Sequence, residues 1–414
     1  MTPAWLVGAS AAALCLAAIV ARVSRPLALP LSIVGVLAGS LLMAWLGPGA
    51  PTGSLLAGGL ALALILSRPA CWRSNAELAS LTSTSLLAGL VFVAGDLSLA
   101  IGVWLVSMWP GLRRREASGV SRRPLVLRTT TAGAIVLLGW AASAVVGPAH
   151  GTLLYVAVTV GAAARMGVPP WSPLTLAEQE RAVSGPSALM MSARPSVAVL
   201  LAARAALPDQ VATVAPALQA YAAAVGLLVA VQGLAAQGPR RQIGCMAATQ
   251  SSMILYGLSS ASAEGVNGAL VQWVGLGISL VGLSVIVEAV ESRVGRRRAE
   301  RARGLLSRVP GLAFFFLFFA ATMAGFPGTS GFVGEDLILR SAAHPAWPLQ
   351  VALLLSTLFN GITMLRLFAT TFLGPPSPQD VAAFPGSTAR ELLVLGVLAC
   401  ALLAVTSAPG VLRP

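Results

Sequence analysis

Lysine is missing from all 414 residues, so each of the 27 basic positions is an arginine. Arginine keeps its proton under any physiological condition, whereas a buried lysine can release it. The chain therefore has no basic side chain that switches charge readily, apart from His150 and His344 near the ends of apolar runs. Charge of either sign is scarce. Charged residues make up 10% of the chain, against about 25% in a soluble protein. Cysteine is rare as well. Cys15, Cys71, Cys245 and Cys400 lie far apart, with no C-x-x-C spacing and no histidine nearby, and read as small buried apolar residues. The sequence holds no G-x-G-x-x-G after a strand and no pair of haem ligands. No cofactor and no metal site is expected, and any redox chemistry would belong to partner proteins.

What is abundant is apolar sequence: 57% of residues are hydrophobic and the mean hydropathy is +0.83. Apolar runs recur at close to the roughly 20 residues that cross a bilayer, which predicts a polytopic membrane protein. The first run, WLVGASAAALCLAAIVA, has no basic segment before it and is read as a span rather than a signal peptide. Fourteen spans are expected, at 4–21, 27–46, 54–67, 79–94, 97–112, 130–147, 150–168, 186–206, 214–236, 244–261, 266–287, 311–325, 347–373 and 390–408. Loops after odd-numbered spans carry most of the arginines, from Arg22 and Arg25 to the run Arg293–Arg308, whereas loops after even spans, such as 46–53 and 147–151, carry almost none. This alternation assigns the net charge of +13 to membrane topology rather than to nucleic acid. It places the odd loops in the cytoplasm and both termini outside, in a bacterial-type inner membrane with the lipid bilayer as partner. The longest polar stretch, ESRVGRRRAERARGLLSR (291–308), reads either as an amphipathic surface helix or as a solvated loop.

Two apolar stretches are interrupted by proline and glycine: GAAARMGVPPWSPLTLAEQE (161–180), with Pro169 and Pro170, and AGFPGTSGFVGEDLILR (324–340), with Pro327, Gly328 and Gly331. Five spans separate them, so they break on opposite sides of the membrane, as in an inverted repeat of two five-helix units with one discontinuous helix each. The expected division is 1–78 as N-terminal spans, 79–236 and 237–375 as the two repeats, and 376–414 as a C-terminal span. Broken backbone at membrane depth has to face the protein interior, which makes ionisable groups beside it functional candidates.

Several stretches resemble one family in order along the chain. VFVAGDLSLAIGVWLVSM (91–108) is similar to its Asp-Leu stretch and Trp-Glu helix, and RMGVPPWSP (165–173) to its Lys-x-x-x-x-Pro turn. GPSALMMSARPSVAVLLAAR (185–204) resembles its Pro-Val-Ser-Ala-Leu helix, and PRRQIGCMAATQSSMILYGLS (239–259) its Lys-x-x-Leu-Ala-Tyr-Ser-Thr-x-x-Gln helix. GFPGTSGFVGE (325–335) nearly repeats its Leu-Pro-Gly-Thr-x-x-Phe-x-Gly-Glu signature, and ITMLRLFATTFLG (362–374) is similar to its Tyr-x-x-Arg-Leu-Phe helix. The family is that of the proton-translocating, antiporter-like membrane subunits of respiratory complex I. Its relatives occur in Mrp-type cation/proton antiporters, membrane-bound hydrogenases and two-component inorganic-carbon transporters. The resemblance implies an all-α polytopic fold, other membrane and peripheral subunits as partners, and a midplane relay of one glutamate and several lysines. It makes the chain at most a subunit of a quinone-reductase-like complex.

The chain departs from that relay. The family's glutamate aligns with Leu105, its first broken-helix lysine with Arg165, and its histidine with Met190 or Met191, while VQWVGLGISLVG (271–282) has no ionisable residue. Arg165, Arg194, Arg204, Glu335, Asp336 and Arg366 remain at membrane depth. Arg165 reads as a fixed cation that repels protons or holds an anion, or as half of a structural ion pair. Arg194 is expected in a buried pair unless the span edge lies elsewhere, and Arg204 at a span end with its head group in water. Glu335 and Asp336 read either as path residues or as acids that complement the positive start of the helix after the break. As neighbouring carboxyls, they are also expected to compete for ionisation. Three functions follow: a proton- or cation-conducting subunit with Glu335 and Asp336 in the path, a poorly conducting structural subunit, or the membrane half of a bicarbonate or CO2 uptake system. The arginine pattern itself predicts that reporter fusions after Arg303 and at Pro414 give opposite compartment signals; matching signals would contradict the fourteen-span topology.

Overall fold

The computed structural model describes residues 3–46, 51–67, 75–109, 123–143, 150–181, 185–299, 303–341, 347–374 and 386–407. These residues form sixteen α-helices of ten residues or more, and among them there is no β-strand. In chain order they are α1 (Pro3–Arg22), α2 (Arg25–Leu46), α3 (Pro51–Ser67), α4 (Asn75–Val93), α5 (Leu97–Val106), α6 (Arg123–Ser143), α7 (His150–Met166) and α8 (Ser172–Arg181). The chain continues with α9 (Gly185–Ala206), α10 (Pro208–Ala235), α11 (Pro239–Ser259), α12 (Ala263–Val294), α13 (Pro310–Met323), α14 (Ser330–Arg340), α15 (Trp347–Phe372) and α16 (Ala389–Ser407). Fourteen of the helices overlie the expected spans, and α8 and α14 are the second halves of the two interrupted ones. Six helices are long and apolar enough to cross a bilayer by length and composition. Large apolar side chains such as Leu138, Trp140, Phe314 and Leu365 are exposed on the outside of the bundle, as a lipid-facing surface requires.

Helix α12 is the axis of the second half. Its apolar window lies wholly inside the protein, and it packs against α9, α11, α13, α14 and α16. Small residues make this possible. A Cβ on Gly268 would come within 2.8 Å of the Gly334 carbonyl oxygen, so α12 and α14 meet backbone to backbone. Such approach replaces the hydrophobic drive that is unavailable between helices in lipid.

Several expected edges move, each for a physical reason. Helix α5 stops at Val106 rather than at 112, and its C-cap Ser107 returns its hydroxyl to the Trp104 carbonyl at 2.6 Å. Residues 110–122 lie outside the described residues. Helix α6 starts at Arg123 instead of 130, because the Arg128 side chain turns inward and is 1% exposed. The 291–308 stretch is neither one amphipathic helix nor one solvated loop. Helix α12 runs on to Val294, a helical turn covers Arg296–Ala299, and a 3-10 turn covers Leu305–Ser307.

Two arginines that sequence reading assigned to loops are buried structural partners. Arg240 at the start of α11 donates to Glu291 near the end of α12, Nε to Oε1 at 2.7 Å and Nη2 to Oε2 at 2.5 Å. Its Nη1 donates to the Gln179 carbonyl of α8 at 3.3 Å. Arg293 holds both oxygens of Glu391 in α16, at 2.9 and 2.8 Å. These fork-to-carboxylate pairs tie α8, α11, α12 and α16 together at one end of the bundle. Removing one partner leaves a buried charge without its counterion, so Glu291→Ala is expected to cost about 3–5 kcal/mol. It should lower the thermal unfolding temperature in detergent far more than a change at the exposed pair Arg241–Glu180 (3.2 Å).

Candidate functional site

The first break follows α7. The helix ends at Met166, Gly167 takes φ +79°, and the chain passes through Val168, Pro169 and Pro170 before α8 begins at Ser172. Proline cannot donate to a helix ladder, and glycine alone takes the left-handed turn cheaply. The exposed carbonyls find partners: the Tyr221 hydroxyl of α10 donates to the Pro169 carbonyl oxygen.

Arg165 sits in the last turn of α7 and is 4% exposed. Its Nη1 donates to the Trp104 carbonyl at 3.0 Å and to Ser107 Oγ at 2.8 Å, and its Nη2 donates to the Ser107 carbonyl at 3.1 Å. The guanidinium carbon also lies 5.4 Å from the Trp104 ring centroid. These acceptors are the C-terminal end of α5, where unsatisfied carbonyls carry partial negative charge and favour a cation. The Arg165 carbonyl in turn accepts from Arg128 Nη1 at 2.5 Å, and Arg128 Nη2 donates to Glu178 of α8 at 2.6 Å. Arg128 and Glu178 were not among the sequence candidates, because Arg128 precedes the expected start of its span at 130 and Glu178 stands at the polar end of an interrupted one.

The second break follows α13. Gly325 (φ +62°) and Gly328 (φ +88°) turn the chain, with Phe326 and Pro327 between them, and Thr329 caps α14 by accepting from the Phe332 amide at 3.4 Å. Pro327 and Gly328 thus lie in the break, while Gly331 lies inside the first turn of α14. Gly331 serves a close crossing: a Cβ there would fall on the Thr322 carbonyl oxygen of α13.

Glu335 and Asp336 do not cap α14. The helix starts at Ser330, no acid stands in its first turn, and the two carboxyls leave the helix on different sides. Asp336 pairs with Arg340 at 2.8 Å, and both side chains are substantially exposed. Glu335 turns inward and is 9% exposed. Its Oε1 accepts from Gln250 Nε2 of α11 at 3.3 Å, and its Oε2 accepts from the Thr357 hydroxyl of α15 at 3.0 Å. Gln250 Nε2 also donates to the Met323 carbonyl at 2.7 Å, at the end of α13. Behind it, Gln272 Nε2 of α12 donates to Gln250 Oε1. Gln272 Oε1 has no partner among the described residues and lies against Gly334. The second break therefore surrounds one carboxyl with neutral amides and a hydroxyl. Gln250, Gln272 and Thr357 went unrecognised in the sequence because single uncharged polar residues in apolar helices carry no distinguishing pattern.

The remaining candidates lie apart. Arg366 is exposed, and its Nη1 donates to the Leu234 carbonyl at 2.6 Å, capping the end of α10. Arg204 is half-buried and caps the end of α11 by donating to the Leu258 carbonyl at 3.1 Å and to the Ser260 carbonyl, instead of reaching into water. Arg194 lies within α9, and its side chain falls outside the described residues.

The NADH:quinone oxidoreductase/Mrp antiporter transmembrane family model matches residues 72–360, more than half of the chain. The chain is 30% identical over 159 residues to NADH-quinone oxidoreductase subunit M of Pseudomonas aeruginosa, covering 38% of this chain and 31% of the relative. It is 26% identical over 160 residues to subunit M of Escherichia coli K12, covering 38% and 31%. The matched stretch is thus under a third of the length of these relatives. A chain in respiratory complex I from Thermus thermophilus superposes with a TM-score of 0.84 at 20% identity, over 98% of this chain and 96% of that one. A chain of the Mrp complex from Dietzia sp. gives 0.80 at 17% identity, over 97% and 50%. The matched segment runs from just before α4, through both breaks, into α15. The chain is accordingly a multi-pass membrane protein of antiporter-like fold and belongs to the NADH:quinone oxidoreductase/Mrp antiporter transmembrane family.

Proposed function

We propose that the chain is an ion-conducting subunit of a larger membrane complex and that protons, or cations coupled to them, pass through the second break by way of Glu335. The observation that carries this reading is the company Glu335 keeps. Glu178, Glu291 and Glu391 each face an arginine at 2.5 to 2.8 Å, so protonating any of them breaks a buried ion pair. Glu335 is held by Gln250 and Thr357 instead, and it can take up and release a proton while its neighbours stay neutral. An ionisable group inside a membrane bundle beside irregular backbone is a functional site by default. Gln250, Gln272 and Thr357 extend a polar line from Glu335 between α11, α12 and α15. Asp336, exposed and paired with Arg340, stands at the periphery of that path, and Arg366 and Arg204 serve as helix caps.

In this reading the partners are other membrane and peripheral subunits, since the structural neighbours belong to multi-subunit assemblies. The bilayer is a bacterial inner membrane with both termini outside. The two broken segments belong to inverted units within 79–236 and 237–375. A second reading, a structural subunit that conducts poorly, is favoured by Arg165, whose donors are engaged by the α5 terminus.

One substitution separates the two readings. Glu335→Gln keeps the shape and the hydrogen-bonding reach of the side chain but cannot exchange a proton. If Glu335 carries the path, proton uptake by membranes with matched amounts of assembled complex should fall by at least about tenfold, while assembly is unchanged. Uptake at the wild-type level in Glu335→Gln would establish the structural reading instead. The close crossing at the break gives a test of its architecture. Gly331→Ala should cost about 1–3 kcal/mol of stability, because the Thr322 carbonyl it meets is backbone and cannot swing aside. An unchanged unfolding temperature would show that α13 and α14 do not cross there.

A further inference from the structure

The two breaks have similar backbones and opposite chemistry. At the second, Glu335 can exchange a proton with its surroundings. At the first, the charge turned inward is a guanidinium on the last turn of α7, before the break, and it cannot. We infer that Arg165 closes the first break, so that no ion passes between α5 and α7 there; this rests on the assignment of Glu335 to the path.

The closure has a mechanical part and a chemical part. Arg165 spans the gap between α7 and the end of α5, and three of its donor contacts go to the Trp104 carbonyl, Ser107 Oγ and the Ser107 carbonyl. Trp104, which is fully buried, covers the guanidinium face and is itself fixed by donation from its indole N–H to Ser196 Oγ of α9 at 3.3 Å. The Trp104 and Ser107 carbonyls and the Ser107 hydroxyl, which could otherwise solvate an ion there, are thereby engaged. Arg128 grips the same turn through the Arg165 carbonyl and ties it to Glu178 across the break, so the segments on either side of Pro169 and Pro170 are held in one arrangement. The chemical part is that arginine does not release its proton, so a proton reaching this position has no basic site to hop to or from. Arg165 is therefore a blocking and positioning residue, outside the conducting path.

The test uses the full chain in its assembled complex, in membranes with matched protein levels. It measures both coupled proton uptake and passive proton leak under an imposed potential. In Arg165→Gln, uptake that depends on Glu335 should stay within about twofold of wild type, because Trp104 and Ser107, which hold Arg165, are not the residues that hold Glu335. A passive leak several-fold above wild type should appear and should persist in the double variant Arg165→Gln/Glu335→Gln. Arg165→Lys, which keeps a cation among the same carbonyls, should stay closed. Loss of uptake in Arg165→Gln would place Arg165 in the path and overturn the inference. A double variant as tight as Glu335→Gln would overturn it by showing that something else closes the break, and a leak as large in Arg165→Lys would overturn it by tracing the leak to lost packing. If the wild type shows no uptake that depends on Glu335, the conducting role fails, while the leak of Arg165→Gln still reports on closure.

Discussion

Hydrocarbon offers no hydrogen bonds, so every peptide group in the membrane has to be satisfied within the protein. Fourteen of the sixteen helices overlie expected spans, and most satisfy their peptide groups along their own length. The two interrupted ones cannot, and the rest of the molecule is arranged around them. At the first break the free carbonyls at the end of α5 are taken by Arg165, and the Pro169 carbonyl by Tyr221. At the second, the last turn of α13 is met by Gln250, which donates at the same time to Glu335. The groups that satisfy broken backbone are the same groups that build the two interior polar sites.

A single class of device gives the two sites different properties. Each break brings a helix end, small residues and a charged side chain to the interior. At the first the charge is an arginine bound to carbonyls, with a second arginine and Glu178 behind it. At the second it is a carboxyl bound to neutral groups. A guanidinium that bonds backbone oxygens contributes rigidity. The Glu335 carboxyl is held by an amide and a hydroxyl, so a change in its charge would break no ion pair with either of them.

The end of the bundle rich in arginine has a second role. The arginine excess, from which an orientation is expected, also supplies Arg240 and Arg293, which reach buried carboxylates on α12 and α16. Gln179 of α8 touches Arg240, so the segment after the first break is joined through Glu291 to the long central helix. The pairs lie between elements far apart in sequence, and the bond from Arg240 to the Gln179 carbonyl links the two halves of the chain where α8, α11 and α12 converge.

Composition alone determined that this is a membrane protein of many helices, and the proline and glycine clusters determined where two of them are interrupted. Both are local properties: a run of about 20 apolar residues has one stable form in lipid, and proline removes a donor wherever it stands. The 325–335 stretch likewise marked its family, because its turn needs those residues in that order. What the sequence left open was the direction of each charged side chain. Glu335 and Asp336 are adjacent, yet about 100° of helical rotation sends one to Gln250 and the other to Arg340. In the sequence Arg128, Arg240 and Arg293 look no different from the other arginines between apolar runs, and burial depends on whether a carboxylate tens of residues away folds against them. Gln250, Gln272 and Thr357 became a site only when α11, α12 and α15 were packed around α14, because uncharged polar groups acquire meaning from their partners and those partners are set by the tertiary structure.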